Sequence, residues 1–243
     1  MVTVRTIISI TTSRGWNLFQ MDVNNAFLQG DLYEDVYMDL PQGYHQSAYD
    51  HSLFTKNTNS DIVVVLVYVY DLLITKSNAE LIDEAKHTLH NSFKVKDIGE
   101  LRYFLSIKVL RSKKGILLTQ KKYALHLISE VGLAGAKSIS IPIELNHKLN
   151  TIEYDKHVGV NVDEELEDIR SYQRLIGKLL YLTITRPDLS FVVHVLSQFM
   201  QHPKQSHWDA ALRVVTYVKS VPGLGILLST GPIDTLSTYC DSD

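Results

Sequence analysis

Residues 63–75 read VVVLVYVYDLLIT, and no other stretch limits the fold as strongly. An apolar, largely β-branched run reaches a short polar corner and continues as a second apolar run. Residues 63–69 suit a strand buried on both faces better than a surface helix, and residues 72–75 return as its partner. The corner then falls at Val69, Tyr70 and Asp71. A carboxylate there points out of the sheet from a backbone held on both sides. Asp71 is therefore open to two readings, a plain turn residue and a ligand for a hard cation.

Upstream, Val4, Ile7, Ile8 and Thr11 recur at helical spacing over residues 2–13, with Gly15 as the stop. Residues 17–23 alternate, with Phe19, Met21 and Val23 on one face and Leu18, Gln20 and Asp22 on the other, so a strand carries Asp22 at its C-terminal end. Ser77 and Glu80 have capping-box spacing ahead of Leu81, Ile82, Ala85, Leu89 and Phe93, which mark a helix. His87 and His90 on that helix could share a metal, but no third ligand is in sight and a half-exposed surface pair is the simpler reading. Residues 101–110 and 116–119 flank Lys113, Lys114 and Gly115 as a second hairpin with a basic tip, and a helix over 123–131 stops at Gly132. Three helices follow over 172–185, 188–201 and 206–220, bounded by Pro187, Pro203 and Pro222, and their apolar stripes are packing faces. Hairpin strands together with several separate helices make the expected fold class α+β.

A chain of 243 residues with 45% hydrophobic composition can bury one large core or two small ones. Its 24 basic and 27 acidic residues leave a net charge of -3, unlike the bulk charge of a protein that grips phosphates. The charge is uneven, however. Residues 101–122 hold Arg102, Lys108, Arg111, Lys113, Lys114, Lys121 and Lys122 with no acid, a run that suits either a solvated face or a nucleic-acid track. Residues 144–170 combine an acidic run with no sustained period and read as a linker or long loop. The single cysteine, Cys240, excludes an internal disulfide and a cysteine-based zinc cluster. No apolar run approaches the roughly 18 residues of a membrane span, and residues 1–9 lack a signal-peptide pattern. An intracellular location, cytoplasmic or nuclear, and no membrane association are expected.

Several blocks of this text resemble the reverse transcriptases of copia-type long-terminal-repeat retrotransposons. The stretch MDVNNAFLQGDLYEDVYMDLPQGY at residues 21–44 resembles their first catalytic block, and residues 52–55, SLFT, resume the family text before the 63–75 hairpin. LRYFLSIKVLRSKKGILLTQKKYAL at 101–125, LIGKLLYLTITRPDLSFVVHVLSQFMQHP and HWDAALRVVTYVKSVPG are similar as well. The resemblance implies an antiparallel palm-type sheet with packed helices over residues 1–143, an acidic linker or loop at 144–170, and a helical thumb or connection segment at 171–231. Residues 232–243 resemble the first strand of a ribonuclease H domain, with Asp241 as its first metal-binding carboxylate.

In that family the residue matching Asp22 holds the catalytic metal with a pair of aspartates at a Tyr-Val-Asp-Asp corner, whereas this chain reads Tyr68, Val69, Tyr70, Asp71. The resemblance makes Asp22 and Asp71 catalytic and metal-binding, with Tyr70 replacing the expected first aspartate of the pair. It places Ala26 and Phe27 beside the incoming nucleotide, and Lys108, Arg111, Lys113 and Lys114 near nucleic acid. It also implies that a supporting helix is missing near residues 45–52 and that the fingers segment lies before residue 2. The cofactor of the intact family is magnesium or manganese, and its partners are an RNA or DNA primer-template and deoxynucleotides. The expectation is a truncated, internally deleted and inactive reverse transcriptase fragment. A noncatalytic module binding nucleic acid or protein is the alternative, and oligomeric state is open.

Overall fold

Antiparallel pairing of short apolar strands organises the first half of the chain, and the strand order is not the sequence order. The computed structural model describes residues 2–23, 42–58, 61–68, 70–77, 80–92, 95–144, 149–159 and 163–231. Ala26, Phe27, Val69 and Asp241 lie outside them. These residues form two compact units, one within Met1–Phe104, Val109–Leu117 and Leu227–Asp243, the other within Leu105–Lys108 and Leu118–Ile226.

In the first unit α1 (Val2–Arg14) precedes β1 (Leu18–Val23), followed by β2 (His45–Gln46), β3 (Leu53–Thr58), β4 (Asp61–Tyr68), β5 (Asp71–Lys76), α2 (Glu80–Ser92) and β6 (Val95–Glu100). The sheet order is β2-β3-β4-β5-β1-β6, so β1 lies between β5 and β6, and β1, β3, β4 and β5 are interior strands. Helix α1 buries Val4, Ile7, Ile8, Thr11 and Thr12 on one stripe, and the Thr11 and Thr12 hydroxyls donate to the Ile8 carbonyl. Gly15 ends it in the left-handed region at φ +66°, with the Trp16 N–H returning to the Thr11 carbonyl.

Helix α2 covers one sheet face. Its Ala85 and Leu89 pack with Met21, Val63, Val65, Leu72, Ile74 and Val95. The Ser77 hydroxyl donates to Asp61 and accepts from the Ile62 N–H. The antiparallel pairing of β4 with β5 thus captures the hydroxyl that the sequence pattern assigns to the helix cap.

Strands β7 (Tyr103–Phe104), β8 (Ile107–Ser112), β9 (Gly115–Thr119) and β10 (Gly225–Ser229) form a second sheet in the order β10-β9-β8-β7. Gly115, at φ +139°, lies so close to β10 that a Cβ would sit 1.9 Å from the Leu228 carbonyl oxygen, so the sheet requires glycine there.

The second unit contains α3 (Lys121–Glu130), α4 (Ile152–Val158), α5 (Ile169–Leu182), a 3-10 turn (Pro187–Leu189), α6 (Ser190–Ser197) and α7 (Gln205–Val218). Leu127 and Ile128 of α3, Leu175, Ile176 and Leu179 of α5, Val193 and Leu196 of α6, and Val214 and Val215 of α7 meet in one core. Buried Tyr172 donates its hydroxyl to the Leu196 carbonyl at 2.8 Å, and burial raises its pKa. Among the described residues no helix is long and apolar enough to cross a membrane.

The described part of the acidic stretch, expected as a linker or long loop, is built into this unit. Thr151 caps α4 by accepting the Tyr154 N–H, and the buried Asp155 carboxylate pairs with the buried Lys204 ammonium. Farther along, Asp163 accepts the Ser206 N–H, Leu166 N–H donates to the Pro203 carbonyl, and Gln205 N–H donates to the Glu164 carbonyl. Hydrogen bonds to a partner segment thus stand in for the internal periodicity that the sequence lacks. Removing either side of a buried ion pair costs about 3–5 kcal/mol because the other charge stays buried.

His207 lies beside this pair, fully buried and stacked on Phe199 with ring centroids 3.9 Å apart. Its Nδ1 accepts the Lys204 N–H at 3.0 Å, and burial, aided by the Lys204 charge, holds its pKa down to about 4. The unfolded ring titrates near about 6.5, so the fold is matched to neutral imidazole above that pH and loses stability as pH falls towards about 4, by roughly 3 kcal/mol in all. Urea denaturation at pH 7, 5.5 and 4 should show this loss in the parent and a smaller one in His207→Gln. The remaining acid sensitivity belongs to carboxylates such as Asp163 and Asp188, which titrate lower.

Candidate functional site

Strand β1 carries Asp22, and its two neighbours decide what surrounds that carboxylate. Alternation puts Leu18, Gln20 and Asp22 on one face and Met21 on the other, where Met21 joins the α2 core. Pairing with β5 sets Asp22 directly opposite Asp71 and Gln20 opposite Leu73. On the far side of β5, Asp71 faces Tyr68, so the chain reverses direction between those two positions. On the other side of β1, Asp22 faces Lys96 of β6. One row across four strands therefore reads Tyr68, Asp71, Asp22, Lys96, and directly opposed residues project from the same face.

The corner is held from several directions. The Val23 N–H donates to the Tyr70 carbonyl at 2.8 Å, which fastens the hairpin corner to the end of β1. Asp71 opens β5 instead of sitting within the turn, and its Oδ1 accepts a 2.7 Å hydrogen bond from Gln20 Nε2. Asp22 and Asp71 are half-buried, Gln20 is buried, and the Tyr70 side chain is 43% exposed. Tyr68 meets the Phe104 ring edge-on at 6.3 Å. Gln20 carries a signal in the sequence, since it lies two residues before Asp22 on the same face. Lys96 carries none, because only strand pairing puts it beside Asp22.

Among the described residues no three His, Cys, Asp or Glu side chains are arranged to hold a metal ion. Two-metal phosphoryl transfer requires carboxylates bridging ions about 4 Å apart. Asp22 and Asp71 could supply two such groups, and the neighbouring Tyr70 carries a phenol, a poor ligand for a hard cation. His87 and His90 line a cleft between α2 and β6 with Asp83, Lys86 and Asp97. There Lys86 pairs with Asp97 at 2.7 Å and His87 Nδ1 contacts Asn91. Burial opposes the charged Asp97 carboxylate, yet the hydrogen bonds from the Lys86 ammonium and the Gly99 N–H outweigh it and lower the pKa.

The basic residues are dispersed. Lys113 and Lys114 are exposed at the turn between β8 and β9, where the Ser112 hydroxyl accepts the Lys114 N–H. Lys108 and Arg111 point to opposite faces of β8. Arg111 reaches the Leu18 carbonyl, at the end of β1 away from Asp22, about 13 Å along the strand.

The family of reverse transcriptases (RNA-dependent DNA polymerases) matches residues 42–145. A retrovirus-related Pol polyprotein from transposon RE2 of Arabidopsis thaliana is 33% identical over 279 residues, covering 99% of this chain and 18% of that polyprotein. The Pol polyprotein from transposon TNT 1-94 of Nicotiana tabacum is 27% identical and covers all of this chain, which spans 21% of it. An uncharacterized mitochondrial protein of Arabidopsis thaliana is 32% identical over 74% of this chain and 70% of its own length. The chain thus spans about a fifth of the length of the Pol polyproteins it matches. No solved structure gives a significant match.

A buried amide donating to a carboxylate is worth roughly 1.5–3 kcal/mol, and its loss strands the acceptor. Gln20→Ala should therefore destabilise the chain by that amount in urea denaturation. The loss should shrink in an Asp71→Ala background, and equal losses in both backgrounds would rule out the coupling.

Proposed function

Since the chain belongs to the copia-type retrotransposon reverse transcriptase family, we propose that it is a polymerase remnant that retains the palm-type sheet and the helical segment after it but does not add nucleotides. The observation that carries this reading is the row around Asp22. Asp22 and Asp71 face each other, Tyr70 occupies the position of the expected carboxylate, and Gln20 occupies one Asp71 oxygen. These donors do not fit a pair of magnesium or manganese ions, so no step is assigned through a metal.

A missing internal block supports the same reading. Matched alignments run over 279 residues although this chain has 243, so the relatives carry residues within the matched span that have no counterpart here. Around residues 45–52 the chain closes tightly. Ser47 N–H donates to the Leu53 carbonyl, Leu53 N–H donates to the Asp50 carbonyl, and the Ser52 hydroxyl donates to Asp50. A block omitted there leaves β2 and β3 paired and the rest of the sheet undisturbed. Without that block a primer end and a nucleotide lack positioning, which by itself can account for about 7–11 kcal/mol of a reaction barrier.

The purified chain should extend no primer on a template with magnesium or manganese, and Tyr70→Asp alone should not change that. Extension should need Tyr70→Asp together with the block restored between His45 and Ser52. Templated incorporation by the parent, abolished by Asp22→Ala, would overturn this reading. Activity in Tyr70→Asp alone would show that the omitted block is dispensable.

The exposed lysines at the β8–β9 turn and the exposed Tyr68 and Tyr70 favour a second reading, a noncatalytic nucleic-acid binder. Fluorescence anisotropy on an RNA–DNA duplex should then show salt-dependent affinity. Changing Lys113 and Lys114 together to glutamine should reduce the slope of log K against log salt by about 2. Affinity that ignores salt and both lysines would exclude this reading.

A further inference from the structure

We infer that Lys96 is the standing counter-charge of the Asp22–Asp71 pair, delivered by a bulge in β6, and that the pair holds its place in the sheet without a divalent ion. This rests on the reading above that the two aspartates are remnants of a metal-holding set.

The pairing of β1 with β6 begins in one register, Phe19 with Glu100 and Gln20 with Gly99, and shifts by one residue before Met21 meets Asp97 and Asp22 meets Lys96. Continued unshifted, the first register would set Asp97 opposite Asp22. Three carboxylates would then stand side by side, Asp71, Asp22 and Asp97, and directly opposed like charges destabilise a sheet. The shift replaces the third carboxylate with an ammonium. It also returns Asp97 to the Met21 face, where Lys86 pairs with it.

Local backbone chemistry builds the shift. Gly99 sits at φ +89°, a conformation L side chains rarely adopt, and its N–H donates to Asp97 Oδ1 at 2.8 Å. The extra residue, Ile98, is left 50% exposed. Bulges commonly re-aim a side chain in this way. Opposed Cβ atoms lie about 4.5–5.5 Å apart, and the flexible lysine stem is long enough to bring an ammonium to Asp22 from the edge strand. Gln20 satisfies Asp71 from within the same face, so one carboxylate has a neutral donor and the other a cation as neighbour.

Thermal melts of the full chain, with manganese chloride as the metal probe against salt of matched ionic strength, test this. Lys96→Met should lower the melting temperature by about 2 °C, while Lys96→Arg should not. The fall should vanish in an Asp22→Asn background. Millimolar manganese should raise the melting temperature of Lys96→Met and leave the parent unchanged, since an ion that binds only the folded chain stabilises it by mass action. A Lys96→Met fall of the same size in the Asp22→Asn background would overturn the inference. So would a manganese shift in the parent that Asp22→Asn removes. Primer extension is read separately, so polymerase activity would sink the functional reading without deciding the melts.

Discussion

The pairing of β1 along both its edges is the constraint on which the first unit depends. Leu18 and Met21 are buried on opposite faces of this strand, so its side chains have no freedom to exchange faces. A slip of one residue would turn Met21 away from the α2 core and turn Asp22 into it, where an unpaired carboxylate is costly. The apolar residues thus fix the direction in which the polar ones point. Asp22, Gln20 and Asp71 share a face because Met21, Leu72 and Ile74 share the other.

The helical unit solves a different problem, that of burying charge. Arg186 is almost wholly enclosed, yet its guanidinium donates twice to Asp188, reaches the Val221 carbonyl and lies 5.5 Å from the Tyr217 ring. Burial alone would raise the Asp188 pKa, but the guanidinium lowers it. Lys204 and Asp155 repeat the pattern between α7's N-terminus and α4. Such pairs add little net stability over apolar packing but are costly to break, which gives an acidic segment with few apolar anchors a single place to dock.

Both units show why residue type alone did not announce the site. A lone aspartate beside a hairpin is an ordinary turn residue, and His87 and His90 on one helix are ordinary surface groups until a third donor joins them. In the fold the histidine cleft acquires Asp83 and Asp97, but Lys86 already holds Asp97. The aspartates acquire each other, with Gln20 on one side and Lys96 on the other. The chemistry of each cluster follows from what stands next to it.

The sequence by itself determined the mixed α+β class, the 63–75 hairpin, the alternation that groups Gln20 with Asp22, and the helix stop at Gly15. It also carried the family, because these depend on local periodicity, backbone preference and contiguous text, all of which are legible along one line. Tertiary structure alone decided that Asp71 opens a strand instead of sitting in the turn, that Lys96 and not Asp97 completes the row, and that the acidic stretch docks on residues 203–206. Those outcomes depend on register and on partners distant in sequence. A one-residue shift at Gly99 reverses which charge faces Asp22, and no periodicity in either strand records it.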